Sequence, residues 1–289
     1  MKRFFTLFAA LVVLSLNLAG QDLLSELDEL DSSEPVYTIA TFKGTRVVNG
    51  HSIETKGEGE LEFIISHRFG TINSGGYDLF GLDQAFIRIG LEYGLTDQLG
   101  VGIGRNSFNK IYDGYLKYKA IRQSDSGSPV TATTLISMGL QTYPQSKFDS
   151  TLTFGSRLNY TYQVLIARKI SSDLSVQVAP TFVHTNRVDQ TILNNDQFAM
   201  GFGARYKLTR SISLNAEYYA RFDPHADSPY YNSFGLGIDI ETGGHVFQLI
   251  FSNSQGMVER TFVTETAGNF FKGGIHFGFN ITRTFQLTH

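Results

Sequence analysis

The 289-residue chain contains no cysteine and no tryptophan. Without cysteine there is no disulfide framework, no thiolate metal site and no lipid-modified N-terminal Cys. Histidine is sparse, at seven copies, and no two have the HxxxH or HxH spacing of a zinc site. The formal net charge is only −3, which gives no pointer to nucleic acid. There is also no apolar run of the roughly 20 residues that a spanning helix needs. The nearest is Phe4 to Leu18, which follows Lys2 and Arg3 and precedes Ala19 and Gly20. That layout predicts a secretory signal peptide over 1–20 rather than a membrane anchor. An exported chain of this kind either stays soluble outside the cytoplasm or enters a membrane without helices.

The stretch after the signal, QDLLSELDELDSSEP, holds six acids and no basic residue. Those acids and the two N-terminal cations, set against −3 overall, leave +1 for residues 35–289. The acid is therefore confined to a short tail. Leu23, Leu24, Leu27 and Leu30 have helical spacing. The tail reads either as a solvated linker or as a docking segment for a periplasmic partner.

From about residue 58 the hydropathy period becomes two. In Ala85–Leu95 the odd positions are apolar or aromatic, and the even ones include Arg88, Gly90, Glu92 and Gly94. The pattern recurs in runs of about ten to twelve residues, longer than the five or six of an ordinary soluble strand. Twelve strands are predicted: roughly 58–69, 84–95, 98–106, 112–122, 131–142, 158–169, 173–185, 197–208, 211–222, 232–241, 245–253 and 273–283. Short turns alternate with longer connections. Three short turns share one pattern, an apolar residue, a hydroxyl residue, two more residues and resumed alternation: GLTDQLGVGIG, KISSDLSVQVA and KLTRSISLNAE.

Strand length favours a bilayer. The apolar face ends in aromatics at many termini, among them Tyr93, Tyr118, Tyr160, Phe182, Tyr206, Phe222, Phe234 and Phe285; rings of this sort form girdles at membrane interfaces. The other face mixes both signs of charge. The fold class is therefore all-β: an antiparallel transmembrane β-barrel of about 12 strands, with short periplasmic turns and longer outer loops. The expected division is 1–20 signal peptide, 21–57 acidic periplasmic tail and N-terminal extension, and 58–285 barrel. The expected location is the outer membrane of a Gram-negative bacterium, as a monomer surrounded by outer-membrane lipid.

Several stretches are familiar as a set: TFKGTR (41–46), NGHS (49–52), GELEFIISHRFG (59–70), FGLDQA (80–85), RIGLEYG (88–94) and YDGYLKYK (112–119). Together they resemble a family of uncharacterised β-barrel proteins of the Bacteroidota, a domain of unknown function. The resemblance implies an outer-membrane-type barrel behind a signal peptide. It brings no activity and no catalytic residues. The block TIATFKGTRVVNGHS precedes the first predicted strand and stays open to three readings: a thirteenth strand, a segment folded into the lumen, or a periplasmic extension.

No catalytic, cofactor or metal residue is predicted. A barrel-wall lipid hydrolase needs a serine beside a histidine on the outer wall. His184 has that face, but its neighbours two residues away are Phe182 and Asn186, and Ser137 and Ser252 have lumen parity. Loop 254–272 is unusually apolar, with Met257, Val258, Phe262, Val263, Phe270 and Phe271, and reads as an inward-folded constriction. The stretch GVGIGR (100–105) lacks the following helix that a phosphate loop requires; its glycines read as lumen-facing, leaving room for something bulky. The leading expectation is a small passive pore or gated channel whose selectivity comes from lumen charges Arg88, Glu92, Lys117, Arg205, Glu217, Arg221 and Asp239. The alternative is a structural protein that recruits a periplasmic partner through its acidic tail.

Overall fold

A computed structural model describes residues 35–143 and 152–287. The signal segment and the acidic tail up to residue 34 lie outside the described residues. Twelve strands, Glu60–Thr71 (β1), Ala85–Gly94 (β2), Leu99–Asn106 (β3), Ile111–Ile121 (β4), Thr131–Gln141 (β5), Leu158–Lys169 (β6), Leu174–Thr185 (β7), Asp196–Lys207 (β8), Ile212–Phe222 (β9), Ser233–Thr242 (β10), His245–Ser252 (β11) and His276–Gln286 (β12), form a closed barrel. Each strand pairs antiparallel with its sequence neighbours, and β12 closes on β1 from Glu60↔Gln286 to Thr71↔His276. The predicted bounds hold to within about three residues, the largest shift being in β12. Closure removes every free sheet edge, which a bilayer demands because exposed backbone polar groups find no partner there.

The alternation becomes two faces. Ile103, Leu116, Met138, Val164, Phe202 and Leu249 are exposed on the outside, while Glu62, Arg68, Arg88, Gln177, Glu217 and Asn280 are buried inside. Tyr118, Tyr206, Phe222 and Phe285 stand exposed near strand ends, as a girdle requires. The repeated turns owe their shape to the hydroxyl residue. Thr96 Oγ1 accepts from the Gln98 and Leu99 N–H groups, Ser171 Oγ from Asp173 and Leu174, and Thr209 Oγ1 from Ser211 and Ile212. One short side chain thus satisfies two backbone donors and fixes a three-residue turn.

Candidate functional site

The site is the barrel interior, and the chain itself fills it. Residues 41–53 enter the lumen as a non-strand segment. Its tip is a tight hairpin: Arg46 bridges to His51, Val47 N–H donates to Gly50 C=O at 2.9 Å, and Ser52 N–H to Thr45 C=O at 3.0 Å. Asn49 and Gly50 supply the usual turn chemistry. Of the three readings open for this block, the interior one describes it.

The wall grips this hairpin with polar groups. Glu217 on β9 accepts the backbone N–H groups of Val48, Asn49 and Gly50 at 3.2, 3.1 and 2.9 Å. Three successive amides around one carboxylate make an anion nest. Arg68 on β1 donates to Asn49 Oδ1 at 2.8 Å, Asn280 on β12 to Val48 C=O at 3.1 Å, and Gln248 on β11 to Val47 C=O at 2.8 Å. Gln177 on β7 both donates to His51 C=O and accepts from Ile53 N–H. Arg205 on β8 reaches the carbonyls of Ala40 and Thr41. A smaller apolar contact joins Phe42, Val47, Val48 and Ile53 to Leu165, Ala167, Ala179 and Ile250. Burying each of these plug side chains contributes about 1.5–3 kcal/mol before ordering costs.

The apolar outer loop supplies a second insert. Met257, Val258, Phe262 and Val263 are all buried, in and beside a short π-helix over Arg260–Thr264. Phe262 packs edge-on against Tyr219 at 5.2 Å. The second half of the loop behaves differently: Phe271 is almost wholly exposed. The two inserts meet at Glu259, which accepts from Arg46 at 3.3 Å and Ser137 at 3.5 Å. His51 Nε2 faces the same carboxylate at 3.2 Å. Burial, then the Arg46 charge, lowers the His51 pKa to about 3, so its ring is neutral. Burial pushes the Glu259 carboxyl up, but His51 and Arg46 outweigh that and hold it well below the usual carboxylate range.

The other predicted lumen charges also have partners, most of them on the wall. Arg88 Nε donates to Asp113 Oδ1 at 3.0 Å, with a second, shorter contact to Oδ2. Glu92 accepts from the Tyr115 hydroxyl at 2.9 Å and lies 3.4 Å from Lys117 Nζ. These bonds run from β2 to β4 over the intervening β3. That is possible because Gly100, Gly102 and Gly104 bare the inner face of β3. A Cβ on Gly102 would strike the Tyr115 ring, and one on Gly104 the Arg88 guanidinium. Asp239 accepts from Gln248 at 2.7 Å, and Arg221 donates to Thr264 C=O at 3.2 Å. Beside the hairpin a cavity of about 20 Å³ remains, lined by Thr45, Arg46, Asp239 and Gln248 among others, room for about one water. Above the inserts an outer vestibule of about 680 Å³ has the Arg260–Glu265 ion pair in its lining.

Sequence reasoning missed Glu259, Arg46 and His51 as functional residues. The Asn49–Gly50 pair was the available signal, since it marks a hairpin tip wherever it stands. Among the described residues no group of three or more His, Cys, Asp or Glu could hold a metal ion. His184 Nδ1 sits 2.5 Å from Asp196 Oδ1; its partner on this face is a carboxylate rather than a serine.

These features define a class: a membrane-spanning β-barrel with a polar interior closed by two segments of its own chain, of the kind found in Gram-negative outer membranes. The chain belongs to the family described as a membrane-bound beta barrel domain, DUF5777, which matches residues 42–285. No curated protein matches it. Among solved structures it is similar to the NanC porin, at 11% identity and a TM-score of 0.47 over 78% of this chain and 100% of that one. The KdgM porin gives 8% identity and the same score, over 78% and 99%. The outer-membrane channel COG4313 of Pseudomonas putida F1 gives 12% and 0.46, over 81% and 98%. At these scores the likeness is one of barrel outline alone.

Proposed function

We propose that the protein is a gated outer-membrane channel, and that the described conformation is its closed state. The observation that carries this reading is the way Glu217 and Arg68 hold the plug hairpin. All of Glu217's partners are plug groups, and Arg68 divides its donors between Asn49 of the plug and Asn280 and the His67 carbonyl of the wall; water can replace the plug groups. The ion pairs Arg88–Asp113 and Glu92–Lys117 join wall residues to each other, and Lys117 Nζ donates in addition to the Glu54 carbonyl of the inserted segment. Withdrawing the plug would uncover Glu62, whose partners Lys56 and Thr45 leave with the segment, together with Glu217 and Arg68, and water entering the opened lumen would take the place of those partners. Withdrawal would bare a polar surface of mixed sign suited to weakly selective passage of small hydrophilic solutes.

Planar-bilayer conductance tests this. Wild-type protein should be nearly silent, and a variant lacking residues 36–56 should conduct steadily. Heat-modifiable electrophoretic mobility verifies that the shortened barrel is folded. A folded barrel no more conductive than the wild type would end the reading.

One observation favours a periplasmic partner working through the same gate. The chain at residues 35–39 runs along the turn after β4: Thr38 N–H donates to Gln123 C=O at 2.8 Å and Val36 N–H to Asp125 Oδ1 at 3.1 Å. The acidic tail is thus joined directly to the plug, and a protein holding the tail would hold the gate. Pull-down from periplasmic extract with and without residues 21–34 distinguishes this from a self-operating channel.

A further inference from the structure

The ladder between β6 and β7 has a gap. The register runs from Asn159↔Thr185 to Gln163↔Thr181 and resumes unchanged at Ile166↔Val178. The two missing rungs are Val164–Pro180 and Leu165–Ala179. Pro180 explains both, because it has no N–H to give the Val164 carbonyl. Proline inside a sheet is ordinarily confined to edges and bulges, and a closed barrel has no edge.

Over this gap, on the lipid-facing side, lies an apolar groove of about 330 Å³ whose lining includes Tyr162, Val164, Pro180, Phe182, Phe198 and Met200. Phe182 and Phe198 lean together at 4.9 Å, and Tyr162 stacks on Phe182 at 6.2 Å. The groove is continuous with the surface that meets hydrocarbon. Two residues further towards the outer end of the same face, the apolar lining gives way to Tyr160, His184 and Asp196. His184 and Asp196 form an exposed pair on adjacent strands, with Tyr160 stacked on the His184 ring at 6.3 Å. From Pro180 to His184 is about 13 Å along the strand. An apolar trough is thus capped by an imidazole and a carboxylate.

We propose that this groove binds one phospholipid of the surrounding membrane, with an acyl chain over Pro180 and a zwitterionic, ammonium-bearing head at the His184–Asp196 pair. The Asp196 carboxylate attracts the ammonium and repels a purely anionic head. The His184 ring offers a nitrogen to the phosphate.

The absence of native tryptophan makes a clean test. A single reporter is introduced as Phe222→Trp in the lining of the groove, and another as Ile103→Trp on a distant part of the wall. Each protein is reconstituted in phosphatidylcholine vesicles containing increasing fractions of brominated phosphatidylethanolamine. Quenching at position 222 should saturate at a low fraction, while quenching at 103 follows the bulk fraction. Adding Val164→Phe, which fills the groove, or His184→Ala should return the 222 curve to the bulk curve and leave the 103 curve unmoved, which also shows that the barrel is still inserted. Brominated phosphatidylglycerol should quench at 222 only in proportion to its fraction. Identical curves at 222 and 103, or saturation with phosphatidylglycerol at the same fraction, would overturn the proposal.

Discussion

The two sides of the lumen are filled in opposite ways. On the β2–β4 side the wall largely fills itself: Arg88 and Tyr115 lie over the glycines of β3, they and Lys117 close on wall carboxylates, and the plug adds the His51 ring on Tyr115 and the Glu54 carbonyl at Lys117. On the β7–β12 side the wall is completed by chain from elsewhere, the hairpin held by Gln177, Glu217, Gln248 and Asn280. The first filling cannot leave without unfolding the barrel. The second can. If the lumen opens, the path runs along the second side.

That contrast can be broken from either end. The largest effect expected on stability is Arg88→Ala, which leaves Asp113 buried without its cation and costs about 3–5 kcal/mol. Denaturant unfolding of the refolded protein should show the loss, while conductance stays at the wild-type level; a conducting Arg88→Ala barrel would mean that the β2–β4 side is also a gate. Glu217→Gln should act the other way. It removes the charge from a three-amide nest, weakening the hold by about 1.5–3 kcal/mol and raising the open fraction roughly tenfold or more, with far less effect on the unfolding midpoint. Unchanged opening events in single-channel records would count against the nest as a latch.

Acid should give the smallest and most graded effect. His51 in place has its pKa at about 3, against 6.5 when released. The released state therefore takes up the proton first, and the closed state loses advantage as pH falls below about 6.5. Glu259 adds to this below its ordinary value of 4.5, because its locked pKa is depressed. Opening should rise steadily from pH 7 to pH 4. His51→Gln should remove the upper part of that rise and leave the part below pH 5.

The barrel was legible in the sequence because period-two hydropathy is a local property, and twelve repetitions of it leave little freedom. The turns were legible for the same reason: the hydroxyl residue and the N–H groups it serves are at most three apart. The interior was harder. Parity says that Glu217 points inward but not that it meets Val48, 169 positions away in the chain. Residues 41–53 carry no period, since their side chains meet partners scattered over β1, β11 and the outer loop. The glycines of GVGIGR were legible as space, yet what occupies it, Arg88 and Tyr115, depends on the registers Gly90↔Gly104 and Gly102↔Tyr115.

Those cross-strand bonds over β3 have a mechanical consequence. They tie β2 to β4 without passing through the strand between them, so three staves of the cask are clamped as one plate. Among the described residues the opposite staves have only the long Gln163–Tyr219 hydrogen bond at 3.5 Å and otherwise rest on an insert. In the proposed open state, with the insert gone, the cross-section would have one stiff chord and one free arc, and it would yield by flattening towards the plate, becoming elliptical rather than wider all round.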